Sequence, residues 1–262
     1  MSVNITSPQN PRIKQLISLQ KPRERKKTGT FLIEGIREIS LAQQGGIEIV
    51  EMYLCDDLYQ ADQDYPIRLT DLSVFNITKD IFSKAAYRDG SGGVLAVAKT
   101  PEKTLNQLQE KTSPLYLVIE QVEKPGNIGA VLRTADAAGV DGLIICDPAT
   151  DLFNPNIIRA SLGCLFTVPT AVCTNDELLA FFSQNNIRSY ATLPAASNIY
   201  SAESYQGAAA ILLGAESTGL SDFWVKHADV RVKIPMAGKI DSLNISNAAA
   251  IFTFEALRQR NL

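Results

Sequence analysis

Residues 118–139 read VIEQVEKPGNIGAVLRTADAAG, and this stretch decides the fold of the second half of the chain. The apolar run Leu115–Ile119 predicts a buried strand, which ends at a Pro-Gly turn. A helix is then predicted from Asn127, whose side chain suits the N-cap position because it can satisfy free backbone N–H groups. Arg133 follows nearly two turns later, away from the apolar stripe. The order strand, loop, helix therefore places an amide and a cation near the carboxyl end of a strand.

Two further segments follow the same plan. Residues 210–220 read AILLGAESTGL, and residues 232–248 read VKIPMAGKIDSLNISNA. In each, a short apolar strand runs into a loop of small and polar residues, and Ser242 or Asn244 is expected to cap a final helix. Open α/β sheets bind ligands at the carboxyl ends of their strands, so the three strand ends predict a pocket for a polar ligand. For the first segment alone, a capped surface helix with a solvated Arg is the alternative.

In order and spacing, the three segments resemble the motifs of the SpoU (TrmH-like) RNA ribose 2'-O-methyltransferases, which belong to the knotted SPOUT class. The first segment matches Asn-x-Gly-x-x-x-Arg-Thr, the second Leu-Gly-x-Glu-x-x-Gly, and the third Ile-Pro-Met with Ser-Leu-Asn downstream. The resemblance covers residues 113–262. One position departs from it, since many relatives carry an acidic or amide residue where this chain has Lys124, and this bears on substrate details.

The resemblance implies a site for S-adenosyl-L-methionine among the strand-end loops. The implied cofactor-binding residues are Thr192, Leu193, Gly214, Glu216, Ile234 and Leu243. The implied catalytic residues are Asn127, Arg133, Glu216, Ser242 and Asn244. A guanidinium stays protonated, so Arg133 is expected to act electrostatically, by gripping a phosphate and stabilising the developing alkoxide. The two Asn residues and the Ser would hydrogen-bond the nucleotide, while Glu216 would fix the geometry of the loop or of the Arg.

Alternating strand and helix patterns predict an α/β fold with a mainly parallel sheet and helices on both faces. The predicted strands lie near residues 115–121, 142–146, 188–192, 208–213 and 229–234. The predicted helices lie near residues 127–138, 154–162, 175–184 and 243–259. The resemblance adds a deep trefoil knot in this SPOUT-type domain, and a homodimer to which the surface Phe252–Leu257 contributes.

The front of the chain has a sequence character of its own. Residues 5–14 and 29–35 resemble the substrate-binding domain that precedes the catalytic domain in ribosomal-RNA members of the family, a small α/β module of ribosomal-protein type. Its predicted strands lie at residues 31–33, 49–55 and 93–98, and its predicted helix at residues 36–44. We therefore expect an N-terminal RNA-binding domain at 1–104 and a methyltransferase domain at 113–262, with a linker near residues 99–108.

Charge supports an RNA partner at the front of the chain. The whole chain carries a net charge of −3, but residues 1–40 hold eight Lys or Arg against three Glu, a surplus of five. Lys and Arg neutralise phosphates and thereby dominate nonspecific affinity for nucleic acid. The predicted RNA-binding residues are Arg12, Lys14, Lys26, Lys27, Arg37 and Arg133. The segment 21–27 is expected to form a flexible basic strip, and a merely solvated N-terminal helix is the alternative reading of this segment.

Composition excludes several other classes of protein. With 262 residues and 45% hydrophobic content, the chain is long enough for two globular domains. Its apolar runs are far shorter than the roughly 20 residues of a membrane helix, and its start lacks a signal-peptide core, so a soluble cytoplasmic protein is expected. Four cysteines without a Cys-x-x-Cys pair and a single histidine, His227, predict no metal site.

Several functions remain open at this stage. A ribosomal-RNA 2'-O-methyltransferase is favoured because all the polar positions of the three motifs are present. A tRNA 2'-O-methyltransferase and a noncatalytic relative that binds ribosomal RNA are the alternatives within the family. An unrelated nucleotide-dependent enzyme with a phosphate loop at Gly126–Gly129 is the alternative outside it, although the chain has no G-x-G-x-x-G pattern.

Overall fold

The structure is a computed structural model and describes residues 3–87, 92–108 and 111–260. Its strands are β1 (Val3–Ile5), β2 (Thr30–Glu34), β3 (Ile49–Leu54), β4 (Ser73–Ile77), β5 (Val94–Lys99), β6 (Leu115–Glu120), β7 (Gly142–Cys146), β8 (Thr170–Cys173), β9 (Arg188–Thr192), β10 (Asn198–Ile199), β11 (Ala209–Leu213) and β12 (Val230–Lys233). Its α-helices are α1 (Pro11–Ser18), α2 (Pro22–Thr28), α3 (Ile36–Gln44), α4 (Lys79–Ala85), α5 (Pro125–Ala138), α6 (Pro155–Ala160), α7 (Cys164–Thr167), α8 (Asn175–Gln184), α9 (Asp222–His227) and α10 (Ile245–Gln259).

The described residues fall into two compact units. The first comprises those within 1–102 and 151–167, and the second those within 103–150 and 168–262. The segment 151–167, which contains α6 and α7, therefore follows β7 in sequence but belongs to the first unit.

The second unit is built on a parallel sheet with the strand order β10-β12-β9-β11-β6-β7-β8. One face packs on α8 and α9, where Leu178 and Trp224 join Val118, Ile144 and Leu212 in a single apolar cluster. On the other face, α5 contacts β7, α10 contacts β11, and the two helices pack on each other. The predicted parallel sheet with helices on both faces is confirmed. Side chains of a β-strand point alternately to the two faces of a sheet, so such a sheet can pack against helices on both sides.

The first unit contains a smaller mixed sheet with the order β1-β4-β3-β5-β2. Strand β5 runs antiparallel to β2 and β3, while β4 runs parallel to β1 and β3. Its aromatic contacts include Phe31, whose ring centroid lies 4.6 Å from that of Phe153. The predicted helix at 154–162 is shorter than expected, because α6 ends at Ala160 and Leu162 takes a left-handed φ of 54°.

The described part of the chain has no helix that is long and apolar enough to cross a membrane. Within residues 3–87, 92–108 and 111–260, no group of three or more His, Cys, Asp or Glu side chains is arranged to hold a metal ion.

Candidate active site

A cavity of about 340 Å³ lies at the carboxyl ends of three adjacent strands of the parallel sheet, β9, β11 and β12. Its walls come from the residues that follow each strand, together with the start of α10. The volume falls within the range of about 300–1,000 Å³ that is typical of small-molecule sites. The position also agrees with the general rule that open α/β sheets bind ligands at the carboxyl ends of their strands.

The six residues implied as cofactor-binding all line this cavity. They are Thr192, Leu193, Gly214, Glu216, Ile234 and Leu243. The Thr192 hydroxyl donates a hydrogen bond of 2.9 Å to the Leu212 carbonyl oxygen, which ties the ends of β9 and β11 together. The fold thus brings together residues that are up to 51 positions apart in sequence.

Gly214 permits an unusually close passage of backbone at the cavity wall. A Cβ atom at this position would overlap the backbone of Gly219 and Leu220, so a larger residue would push the loop outward. The loop is closed by a 2.8 Å hydrogen bond from the Gly219 N–H to the Ala215 carbonyl. Gly219 itself has a φ of 70°, a conformation that glycine adopts at no steric cost.

Sequence reasoning missed several residues of the cavity wall. Lys233, Met236, Asp241 and Phe252 line it as well, so the wall combines apolar surface with charges of both signs. All except Phe252 lie within the segment 232–248, and Met236 belongs to its Ile-Pro-Met motif, although no cofactor-binding role was predicted for it. Phe252 projects from α10 and is buried, which a helical spacing of seven residues from Ile245 would have suggested.

The start of α5 corrects one prediction. Asn127 was expected to be the N-cap, but the N-cap is Lys124 and the helix begins at Pro125, which places Asn127 at the third helical position. Proline is well suited to the first helical position, because its fixed φ matches the helix and its missing N–H would have had no partner there. The residue before a proline is held in an extended conformation, as observed for Lys124 with φ −77° and ψ 114°.

Asn127 and Asn244 join the starts of two packed helices. The Asn244 amide donates a hydrogen bond of 3.3 Å from Nδ2 to Oδ1 of Asn127. The Nδ2 atom of Asn127 is buried and has no hydrogen-bond partner among the described residues. Such an unpaired donor is costly unless a ligand or water pairs with it.

Asn244 is the N-cap of α10, as one of the two alternatives predicted. Its Oδ1 atom accepts from the Ser246 backbone N–H at 3.0 Å and from the Ser246 hydroxyl at 2.7 Å. The other alternative, Ser242, lies two residues earlier, where its hydroxyl donates to Asp241 at 3.2 Å and lines the cavity.

Arg133 is exposed on α5 and has no ion pair with the described residues. It is not among the residues that line the cavity, whereas Glu216 and Ser242 are. Of the five residues implied as catalytic, two therefore lie in the cavity wall, two hydrogen-bond each other, and Arg133 offers a free cation on α5.

The predicted basic residues of the first unit divide into two groups. Lys14, Lys26 and Lys27 are exposed, the last two on α2. Arg12 is paired with Glu51 and stacks over the Phe75 ring at 4.7 Å, and Arg37 is half-buried over Tyr65 at 5.2 Å.

Arg25, in the middle of the basic run, has a structural role. It is buried and donates to Asp151 at 2.6 Å and to the carbonyl oxygens of Leu19 and Gln20. The run therefore does not form a single solvated strip.

This fold defines an α/β protein with a cavity of small-molecule size at the carboxyl ends of a parallel sheet. The profile of the SpoU rRNA methylase family matches residues 114–254, and the profile of the MRM3-like substrate binding domain matches residues 10–96. The chain belongs to the SpoU rRNA methylase family.

Relatives match along nearly the whole chain. The 23S rRNA (guanosine(2553)-2'-O)-methyltransferase RlmP of Bacillus subtilis is 29% identical over 95% of this chain and 97% of its own. An RNA 2'-O ribose methyltransferase of known crystal structure has 38% sequence identity to this chain. The two structures match with a TM-score of 0.86 over 99% of this chain and 100% of the other. The methyltransferase AviRb of Streptomyces viridochromogenes, in complex with AdoMet, is 28% identical, with a TM-score of 0.87 over 97% of this chain and 99% of its own.

Proposed function

We propose that this protein transfers a methyl group from S-adenosylmethionine to a ribose 2'-hydroxyl of ribosomal RNA. The observation that carries the proposal is the convergence of three sequence motifs on one cavity and on the adjoining Asn127–Asn244 contact. Membership of the SpoU rRNA methylase family supports the reaction, and the names of full-length relatives support a ribosomal substrate.

The cavity suits the methyl donor. Its apolar wall, which includes Leu193, Ile234 and Leu243, fits an adenine ring, and Glu216 with Asp241 provides negative charge for a cationic ligand. S-adenosylmethionine, when bound, supplies an electrophilic methyl group on a sulfonium. Backbone groups of the cavity wall at Gly214, Ile234 and Leu243 would hold the donor.

Arg133 would hold the RNA phosphate next to the reacting ribose. A guanidinium stays protonated at physiological pH, so Arg133 would act through its charge and its forked donors instead of removing a proton. Its field stabilises the negative charge that develops on the 2'-oxygen. The chain's single histidine offers no alternative base here, because His227 is exposed on α9 and its Nδ1 lies 2.9 Å from the Phe223 carbonyl oxygen.

Asn127, Ser242 and Asn244 would orient the nucleotide. Asn127 and Asn244 are hydrogen-bonded to each other at the starts of α5 and α10, and the Ser242 hydroxyl borders the cavity. Holding the hydroxyl in line with the methyl group removes much of the entropic part of the barrier.

We assign RNA binding to residues 1–104 and catalysis to residues 113–262, with Lys14, Lys26 and Lys27 as phosphate contacts. The match of residues 10–96 to a substrate binding domain supports this division. The proposal also includes a cytoplasmic location, a homodimer, and a deep trefoil knot in which the C-terminal stretch threads back through a loop.

Calorimetry with S-adenosylmethionine, NAD and ATP tests the proposal directly. We expect saturable binding of S-adenosylmethionine and no binding of the other two nucleotides. Binding of NAD or ATP alone would favour an unrelated nucleotide-dependent enzyme. Donor binding without methyl transfer to ribosomal RNA would favour a noncatalytic relative.

A further inference from the structure

Glu120 is a buried carboxylate that lies seven residues before the first motif, which begins at Asn127. It is not one of the motif residues. It is the last residue of β6 and is only 1% exposed. Among residues 3–87, 92–108 and 111–260, no Lys or Arg forms an ion pair with it. A buried charge is costly unless hydrogen bonds compensate for lost water, so its partners indicate what it does.

Three donors converge on the Glu120 carboxylate. The backbone N–H of Ser221 donates to Oε2 at 2.7 Å, and the Ser221 hydroxyl donates to Oε1 at 2.6 Å. The Asn175 amide donates from Nδ2 to Oε1 at 3.0 Å. Glu120 therefore holds Ser221 by both its backbone and its side chain.

The direction of these hydrogen bonds is fixed by Trp224. An indole N–H can only donate, and Nε1 of Trp224 donates to Oδ1 of Asn175 at 2.5 Å. The Cys146 thiol donates to the same Oδ1 atom at 3.1 Å. The Nδ2 group of Asn175 must then face Glu120, so both oxygens of Glu120 must accept, which a glutamine amide cannot reproduce.

Ser221 ends the loop that forms one wall of the cavity. Gly214, Glu216 and Leu220 all line the cavity, and Ser221 follows Leu220 directly. Ser221 is also the N-cap residue of α9, yet it makes no side-chain capping hydrogen bond, because its hydroxyl donates to Glu120. The first residue of the loop, Gly214, thus lies against the backbone of Gly219 and Leu220. Ser221, which follows the loop, is hydrogen-bonded to Glu120.

We propose that Glu120 is a positioning residue for donor binding, which keeps the loop Gly214–Leu220 in the conformation that the donor requires. The inference rests on the proposed function, because it takes the cavity as the donor site. Glu120 touches neither the cavity nor the reacting atoms, so its effect on the donor is transmitted through Ser221.

The test compares Glu120→Gln with a matched control, Asp229→Asn. Asp229 also accepts from the N–H and the hydroxyl of a serine, Ser189, at 2.8 and 2.7 Å. That pair lies at the amino ends of β9 and β12, the opposite edge of the sheet from the cavity. It therefore controls for general loss of a carboxylate–serine contact.

We expect Glu120→Gln to weaken S-adenosylmethionine binding about tenfold, since an unpaired buried donor is left at Ser221. Methyl transfer at saturating donor should fall much less, and Asp229→Asn should leave donor affinity unchanged. Equal donor affinity in Glu120→Gln and the wild type, or an equal loss in Asp229→Asn, would overturn the proposal. Failure of the wild type to bind the donor would instead refute the proposed function.

Circular dichroism shows whether Glu120→Gln folds, and Ser221→Ala decides the matter if it does not. That variant keeps the backbone N–H contact and loses only the hydroxyl, so we expect donor binding about threefold weaker. Wild-type donor affinity in Ser221→Ala would then contradict the role assigned to Glu120.

Discussion

At the scale of single residues, Arg133 is the side chain to which we assign stabilisation of the transition state. It is exposed, unpaired among the described residues and outside the cavity wall. Its proposed partners are therefore the RNA phosphate and the 2'-oxygen, and the methyl donor is not one of them.

Arg133→Ala should lower methyl transfer by about 100-fold or more, a loss typical of removing one electrostatic stabiliser of a transition state. Donor affinity measured by calorimetry should stay at the wild-type value. Arg133→Lys should fall between the two, because lysine keeps the charge but loses the forked pair of donors. Full activity of Arg133→Ala would show that the residue is only a solvated surface cation.

Residue roles could be predicted where they depend on neighbours in sequence. Ser242 and Asn244 were the two caps predicted before the apolar last helix, and the structure shows that Asn244 is the cap. The cap assigned to Asn127 is wrong, because Pro125 starts the helix two residues earlier. The contacts of Glu120 could not be read from sequence at all, since its partners Asn175 and Ser221 are 55 and 101 positions away.

At the scale of elements, long apolar patterns were predictable and short or polar elements were not. The strands β6, β7, β9, β11 and β12 lie where the apolar runs placed them, within about two residues at each end. β10, with two residues, is too short for a periodic pattern, and the four residues of β8, TAVC, lack the apolar–polar alternation of the equally short β12, VRVK.

Helix α2 shows that the basic segment is helical, which agrees with the alternative reading and not with a flexible strip. Its sequence, PRERKKT, has no apolar stripe. Pro22 at its start, Gly29 in the left-handed conformation at its end and the buried Arg25 define it instead. The basic residues in its last turn interact favourably with the helix dipole, and Lys26 and Lys27 remain exposed.

Replacing Lys26 and Lys27 together by Gln should weaken RNA binding for all sequences alike. If each lysine neutralises a phosphate, the slope of log affinity against log salt should become shallower by roughly 1.5. Filter binding at several salt concentrations measures this slope. The matched control replaces Lys79 and Lys84, which are exposed on α4, by Gln. An unchanged slope in the α2 variant, or an equal change in the control, would refute the assignment.

At the scale of the whole molecule, the structure narrows the predicted dimer surface. Within Phe252–Leu257, Phe252 is buried in its own chain, whereas Phe254 is 50% exposed on α10. In the proposed homodimer, Phe254 would contact the second copy in a twofold arrangement.

Light scattering of the wild type should give a mass near twice 28.5 kDa. Phe254→Ser should shift the protein toward the monomer, because the substitution removes apolar surface from the contact. Val50→Ser, at an exposed apolar position of the first unit, should leave the mass unchanged. A wild-type protein that is monomeric at micromolar concentration and fully active would rule out the homodimer.

The order of residues in the sequence does not show that the segment 151–167 belongs to the first unit. Residues 151–167 follow β7, yet they pack with residues of the first hundred positions. Asp151 pairs with Arg25, 126 positions earlier, and Phe153 stacks near Phe31. Hydrophobic periodicity reports the buried face of a helix, but it does not report which sheet covers that face.

We propose above all that this protein methylates the ribose 2'-oxygen of ribosomal RNA. The most direct measurement incubates purified protein with unmodified ribosomal RNA and S-adenosylmethionine, and then maps 2'-O-methyl groups by resistance of the adjoining linkage to alkaline cleavage. We expect the wild type to produce one or a few new positions that resist alkaline cleavage, and Arg133→Ala to produce none. Methylation confined to bases, or no transfer to ribosomal RNA while tRNA becomes methylated on its ribose, would contradict it.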